Sequence, residues 1–108
     1  MAFRVLLTDD AVGDLEQIDK YIAEHDSAKS ANHGLDRIEE VVLSLATMPN
    51  RGHFPAELLS LGIREYREVF FKPYRIVYRV VDDAVYVYLI TDGRGDMQAV
   101  LARRLLGA

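Results

Sequence analysis

Three consecutive segments in the second half of the chain decide the fold: IREYREVFF at 63–71, YRIVYRVV at 74–81 and AVYVYLIT at 84–91. All three are rich in aromatic and β-branched residues, which favour β-strands. Lys72-Pro73 interrupts the first run, and Asp82-Asp83 suits a tight hairpin turn between the second and third. Strands with such short connections predict an antiparallel meander.

The first half predicts a strand followed by a helical hairpin. Phe3–Leu7 is a short apolar run, and Thr8 with the aspartates after it can cap a helix. Apolar residues then recur at helical spacing in two stripes, separated by a break at His25-Asp26-Ser27 and closed by Met48-Pro49-Asn50. The stripes are Ala11, Leu15, Ile18 and Ile22, and then Ala31, Leu35, Ile38, Val42 and Leu45.

Together these elements predict one α+β domain over residues 1–108, in the order β-α-α-β-β-β. The N-terminal strand can add to the antiparallel sheet, and the antiparallel helical hairpin covers one face of that sheet. Residues 49–62 are rich in turn formers and predict a loop. Asp96 to Leu106 predicts a short C-terminal helix.

Composition excludes several classes of function. The 108 residues carry a formal net charge of −4 and contain no cysteine, which excludes disulfide scaffolds and thiolate metal sites. The apolar segments are too short for a signal peptide or a membrane span, so we expect a soluble, cytoplasmic protein without a membrane partner. The three histidines have no metal-binding spacing, and we expect neither a metal nor a cofactor.

Arginines of the second half are the candidate binding residues: Arg64, Arg67, Arg75, Arg79 and Arg94. Arg75 and Arg79 should share one face of their strand, whereas Arg64 and Arg67 fall on opposite faces if theirs is regular. Two interpretations stay open. The arginines pair with Glu65, Glu68 and the helical acids, or they line a sheet face that accepts an acidic peptide or a phosphate backbone.

A resemblance to a known family rests on the order of elements and on three segments: TDDAVGDLEQIDKYIAEHDS at 8–27, MPNRGHFP at 48–55 and the strand-rich run from 64 to 97. In these features the chain resembles the RelE/ParE superfamily of bacterial toxins, and within it the ParE-like branch. The resemblance covers nearly the whole chain. It implies the toxin of a type II toxin–antitoxin module, neutralised by a cognate ParD-like antitoxin whose disordered segment wraps over the toxin. ParE-type toxins poison DNA gyrase without enzyme chemistry, and direct sequence-specific DNA binding by the toxin is not expected.

Two alternatives accompany this interpretation. RelE-type toxins cut mRNA on the ribosome and use cationic residues with a Tyr, His or Glu near the C-terminus. Arg75 matches one cationic position of the family, but after Asp92 the only titratable acid is Asp96, so we expect no catalytic residues and no enzyme activity. The other alternative is a toxin-fold protein that has lost toxicity and serves as an antitoxin partner or co-repressor.

The turn after the third run, Arg94-Gly95-Asp96, spells an adhesion tripeptide that an intracellular protein would carry by chance. The resemblance implies a second basic residue where this chain has Gly95. We therefore add Asp96, beside Arg94, to the candidate target- or antitoxin-binding residues.

Overall fold

The computed structural model describes residues 2–107 and contains a four-stranded sheet. Its strands are β1 (Arg4–Leu7), β2 (Arg67–Phe71), β3 (Tyr74–Val81) and β4 (Ala84–Asp92), in the spatial order β1-β4-β3-β2. β2, β3 and β4 form the antiparallel meander, and β1 adds parallel to β4. The predicted α+β class and element order are confirmed.

Two helices connect β1 to the rest of the sheet: α1 (Asp9–His25) and α2 (Ala28–Leu43). The hydroxyl of Thr8 accepts a hydrogen bond from the amide of Ala11, and that of Ser27 accepts one from the amide of Ser30, so each helix starts at a side-chain cap. A single 3-10 turn (Ser44–Ala46) follows α2. The predicted helical hairpin is confirmed.

The main core lies between this hairpin and the sheet. Its buried members come from both predicted stripes and from β2, β3 and β4: Ala11, Ile18, Ile38, Val42, Leu45, Val69, Ile76, Tyr78, Val85, Val87 and Ile90. Tyr78 is fully buried, and its hydroxyl donates to the carbonyl of Pro49 at 2.7 Å and accepts from the amide of Gly52 at 3.0 Å. A Cβ at Gly52 would lie 2.6 Å from that hydroxyl oxygen, so the loop needs glycine there to approach the tyrosine.

The opposite sheet face is also covered, whereas the sequence predicted a cover only for the face under the helical hairpin. The short α3 (Ala56–Leu59) and α4 (Met97–Leu105) pack there around Leu58, Tyr66, Val77, Leu89, Met97 and Leu101. Residues 49–62 were predicted as a loop because a four-residue helix is too short for helical periodicity to reveal it.

Strand boundaries differ from the prediction at two points. β2 begins at Arg67 and not at residue 63. In β4, Leu89 pairs with Val77 and Val87 pairs with Tyr78, so Tyr88 is the extra residue of a β-bulge. The bulge directs Tyr88 and Leu89 to the same cluster under α3 and α4. Across residues 2–107, no helix has the length and apolar character needed to cross a membrane.

Candidate functional site

Arg75 on β3 lies in a charge network at the α3 side of the sheet. Its guanidinium donates two parallel hydrogen bonds of 2.8 Å to the carboxylate of Glu57 on α3, and its Nε donates to Glu68 Oε1 on β2 at 2.6 Å. The Arg75 side chain is 12% exposed and that of Glu68 4%. The bond to Glu57 raises the pKa of Arg75 further above its ordinary value, and Arg75 lowers the pKa of Glu57.

A histidine lies beside this charge network, in the cleft that the network lines. His53 Nε2 lies 3.3 Å from Glu68 Oε2, and its side chain is 62% exposed. His53 and Glu68 also exchange backbone hydrogen bonds of 3.1 and 2.7 Å, which fix the histidine against the edge of β2. The cleft, of about 380 Å³, thus combines one arginine, two carboxylates and one imidazole.

The prediction that arginines line one continuous face of the sheet is wrong. Arg75 and Arg79 do lie on one face of β3, but Val77 between them is buried beneath α3 and α4. The alternative interpretation, pairing with nearby acids, is confirmed for Arg75 and Glu68. Glu57 was not foreseen as a partner because it precedes β2 in a segment predicted as loop.

Three of the predicted arginines instead meet at one cleft of about 290 Å³, which we call the arginine cleft: Arg64, Arg67 and Arg79, with Asn50, Phe54, Glu65 and Val80. Arg64 lies ahead of β2 and not on it, so the predicted opposite-face relation to Arg67 does not arise. Arg67 donates to the carbonyl of Gly52 at 2.8 Å, and its guanidinium carbon lies 4.6 Å from the centre of the Phe54 ring. Within residues 2–107, no carboxylate lies within 4.0 Å of these three guanidiniums.

The turn between β4 and α4 places Arg94 and Asp96 apart from that cleft. Arg94 forms an ion pair with Asp92 at 2.5 Å while its side chain stays 78% exposed. This pairing raises the pKa of Arg94 and lowers that of Asp92. Asp96 accepts a hydrogen bond from the amide of Ala99 at 3.1 Å and caps α4. Asp96 therefore has a structural role that its sequence context alone did not reveal.

Two further grooves border the helical hairpin, and sequence reasoning did not resolve their residues. An apolar groove of about 440 Å³, which we call the hairpin groove, runs between β1, α1 and α2, and acidic residues lie among its lining: Val5, Leu7, Val12, Leu15, Leu35, Ile38, Val42, Leu43, Glu16, Asp19 and Glu39. A mixed groove of about 560 Å³ lies between α1 and the ends of β3 and β4, beside Tyr21, Tyr74 and Arg94. Among residues 2–107, no group of three or more His, Asp or Glu side chains is placed to hold a metal ion.

A family model described as the ParE toxin of the type II toxin–antitoxin system parDE matches residues 5–97. The chain belongs to the ParE toxin family. The RelE/ParE resemblance predicted from the sequence is thereby confirmed. Toxin ParE3 of Caulobacter vibrioides is 31% identical over 101 residues, which are 94% of this chain and 97% of that toxin.

Solved structures with the same fold include ParE and RelE systems. The chromosomal ParDE system of P. aeruginosa gives a TM-score of 0.72 at 20% identity, covering 84% of this chain and 96% of that one. The RelBE2 toxin–antitoxin complex of Mycobacterium tuberculosis gives 0.60 at 19% identity, covering 88% and 95%. A free mutant of E. coli toxin RelE gives 0.63 at 12% identity, covering 97% and 99%.

Proposed function

We propose that this ParE-family toxin inhibits DNA gyrase without chemistry of its own and is neutralised in the cytoplasm by a ParD-like antitoxin. The family model identifies it as the toxin of a type II module. The ion pairing of Arg75 supports the second part of the proposal, that the toxin has no chemistry of its own. A nuclease of this fold would need that cation for phosphate charge, and here Glu57 and Glu68 already neutralise it.

The surface around the helical hairpin suits an antitoxin segment that has both apolar and charged residues. The hairpin groove offers apolar side chains to a segment that orders on binding, and such a segment needs a large complementary surface to offset its lost entropy. The groove lies apart from the arginine cleft, with which it shares no lining residue. One partner can therefore cover the groove while another surface contacts the target.

Ribosome-dependent mRNA cleavage is the second candidate, because one observation favours it. His53, Glu68 and Arg75 lie at one cleft, and a histidine beside a carboxylate is a usual arrangement for general acid–base catalysis. The bidentate bond from Glu57 opposes this function, since an incoming phosphate would have to displace it.

Two assays in parallel separate the candidates. Purified toxin is added to gyrase with supercoiled plasmid, and separately to an in vitro translation reaction. Accumulated cleaved plasmid with intact mRNA supports gyrase inhibition. Codon-phased mRNA cuts that a His53→Gln variant abolishes would overturn it in favour of the nuclease, and silence in both assays would indicate a detoxified co-repressor.

A further inference from the structure

We propose that the arginine cleft formed by Arg64, Arg67 and Arg79 binds the phosphodiester backbone of a nucleic acid. Its role at gyrase-bound DNA rests on the proposed function, whereas phosphate binding itself does not. The cleft is separate from the Arg75 network and from the turn at Arg94.

Within residues 2–107, five arginines form ion pairs with carboxylates and five do not; Arg64, Arg67 and Arg79 are three of the unpaired ones and line the same cleft, whereas the other two, Arg51 and Arg103, lie outside it. Arg4, Arg37, Arg75, Arg94 and Arg104 each contact at least one carboxylate. The cleft arginines contact none in residues 2–107. Glu65 is the one acid lining the cleft, so three guanidiniums and one carboxylate give it a formal charge of +2. This positive site occurs in a chain whose net charge is −4 and whose first fifty residues contain most of its acids.

The cleft is partly preorganised for an anion. The Gly52 carbonyl and the Phe54 ring hold Arg67 in place, so little rotamer entropy remains to be lost when the guanidinium binds. Arg79 extends from β3 and Arg64 from the segment before β2, so the three guanidiniums approach the cleft from different backbone positions. Guanidinium groups bind phosphate oxygens bidentately, which suits a chain of phosphates.

The lining favours a nucleic acid over an acidic peptide. Peptide segments gain affinity chiefly from apolar anchors, because exposed ion pairs contribute only about 0–1 kcal/mol each. In this cleft Arg67 covers the Phe54 ring. Val80 is therefore the apolar side chain that remains for a peptide anchor to contact. Nucleic-acid backbones bind through counterion release, which needs cations and no apolar pocket.

Phosphate binding at this cleft gives the gyrase function a physical basis. An inhibitor that traps a cleaved-DNA complex must bind that state more tightly than the uncut one. A backbone contact provides such a difference when the DNA geometry around the break differs between the states. The toxin needs no sequence preference for this contact.

The experiment measures binding of the full-length toxin to fluorescently labelled duplex DNA by anisotropy, between about 50 and 200 mM salt. Three phosphate contacts predict a slope of log affinity against log salt of about −2.7, and so a loss of about 40-fold across this range. Arg64→Gln with Arg79→Gln should reduce the slope to about −0.9 and the loss to about 3.5-fold. Arg67 is left intact in this variant because it also binds Gly52.

Arg103→Gln is the matched control, since Arg103 is exposed on α4 and has no described carboxylate partner. It should leave the slope unchanged; an equal reduction by Arg103→Gln would overturn the cleft as the site.

A labelled RNA hairpin in a second arm identifies the source of phosphate. Tighter RNA binding would support the site but contradict gyrase-bound DNA as its ligand. Stronger competition by polyglutamate than by DNA would overturn the proposal, and failure of the gyrase assay alone would leave this measurement unaffected.

Discussion

The guanidinium of Arg75 is shared by two carboxylates that come from different elements, Glu57 on α3 and Glu68 on β2. At the scale of single residues this pairing removes a cation from the surface and attaches α3 to the sheet. The pairing with Glu68 was predictable because both residues belong to neighbouring strands of the meander. The pairing with Glu57 depends on the path of residues 49–62, which no sequence period specifies.

Glu57→Gln should lower the free energy of unfolding by about 1–3 kcal/mol at pH 7. Arg75 depresses the folded-state pKa of Glu57 below 4.5, so the stabilisation is fully present above that pH and is lost as the pH falls through the folded pKa. The difference between wild type and variant should therefore shrink in acid. Urea unfolding at pH 7 and at about pH 3 measures it, with exposed Glu65→Gln as the control.

Gly95→Arg should increase growth inhibition if the turn after β4 contacts the target. The position is exposed, a Cβ there would meet no neighbouring atom within 4 Å, and its backbone φ is not in the left-handed region, so the substitution should leave stability unchanged. Gly95→Gln adds similar bulk without charge and serves as the control. Equal growth inhibition by wild type and Gly95→Arg at equal expression would rule out a charge contact at this turn.

At the scale of elements, α4 completes an edge that β1 leaves open. β1 pairs with β4 only as far as Val87, so the backbone beyond needs other partners. Arg104 donates to the carbonyl of Tyr88 at 3.1 Å, and Asp14 accepts from the amide of Ile90 at 3.0 Å. Arg104 also donates two bonds of 2.9 Å to Asp14, which joins α4 to α1 across the strand.

Arg104→Gln should destabilise the fold by about 2–4 kcal/mol, because it leaves the largely buried carboxylate of Asp14 without its cation. Hydrogen exchange should show faster opening of α4 and of the end of β4 before the rest of the sheet. Arg103→Gln, one residue earlier and exposed, should change stability by less than about 0.5 kcal/mol. Similar effects of the two substitutions would contradict this role for Arg104.

Long periodic elements were predictable from the sequence, and short ones were not. The hairpin helices have caps at Thr8 and Ser27 and uninterrupted apolar stripes, and β3 alternates over eight residues. α3 has four residues, and the β4 bulge depends on register between strands, which lies outside any local pattern. The position of β1 beside β4 likewise follows from tertiary packing.

At the scale of the whole molecule, the chain separates its surfaces by character. The hairpin groove combines apolar and acidic side chains, the arginine cleft is cationic, and the cation of Arg75 is paired internally with Glu57 and Glu68. The sequence identified five candidate arginines but not Arg104, and it could not tell which of the five were paired, because Arg67 bonds across fifteen residues and Arg75 across eighteen. Side-chain pairing over such separations is fixed only by the completed fold.

The most direct test of the proposed function is the amount of cleaved plasmid that forms when purified toxin is titrated into gyrase with supercoiled DNA. Because gyrase inhibition requires no chemistry from Arg75, we predict that cleaved plasmid accumulates with toxin concentration and that a folded His53→Gln variant retains this effect. A cognate antitoxin should abolish it. Unchanged supercoiling and no cleaved plasmid at saturating toxin, together with codon-phased mRNA cuts in translation, would contradict gyrase as the target.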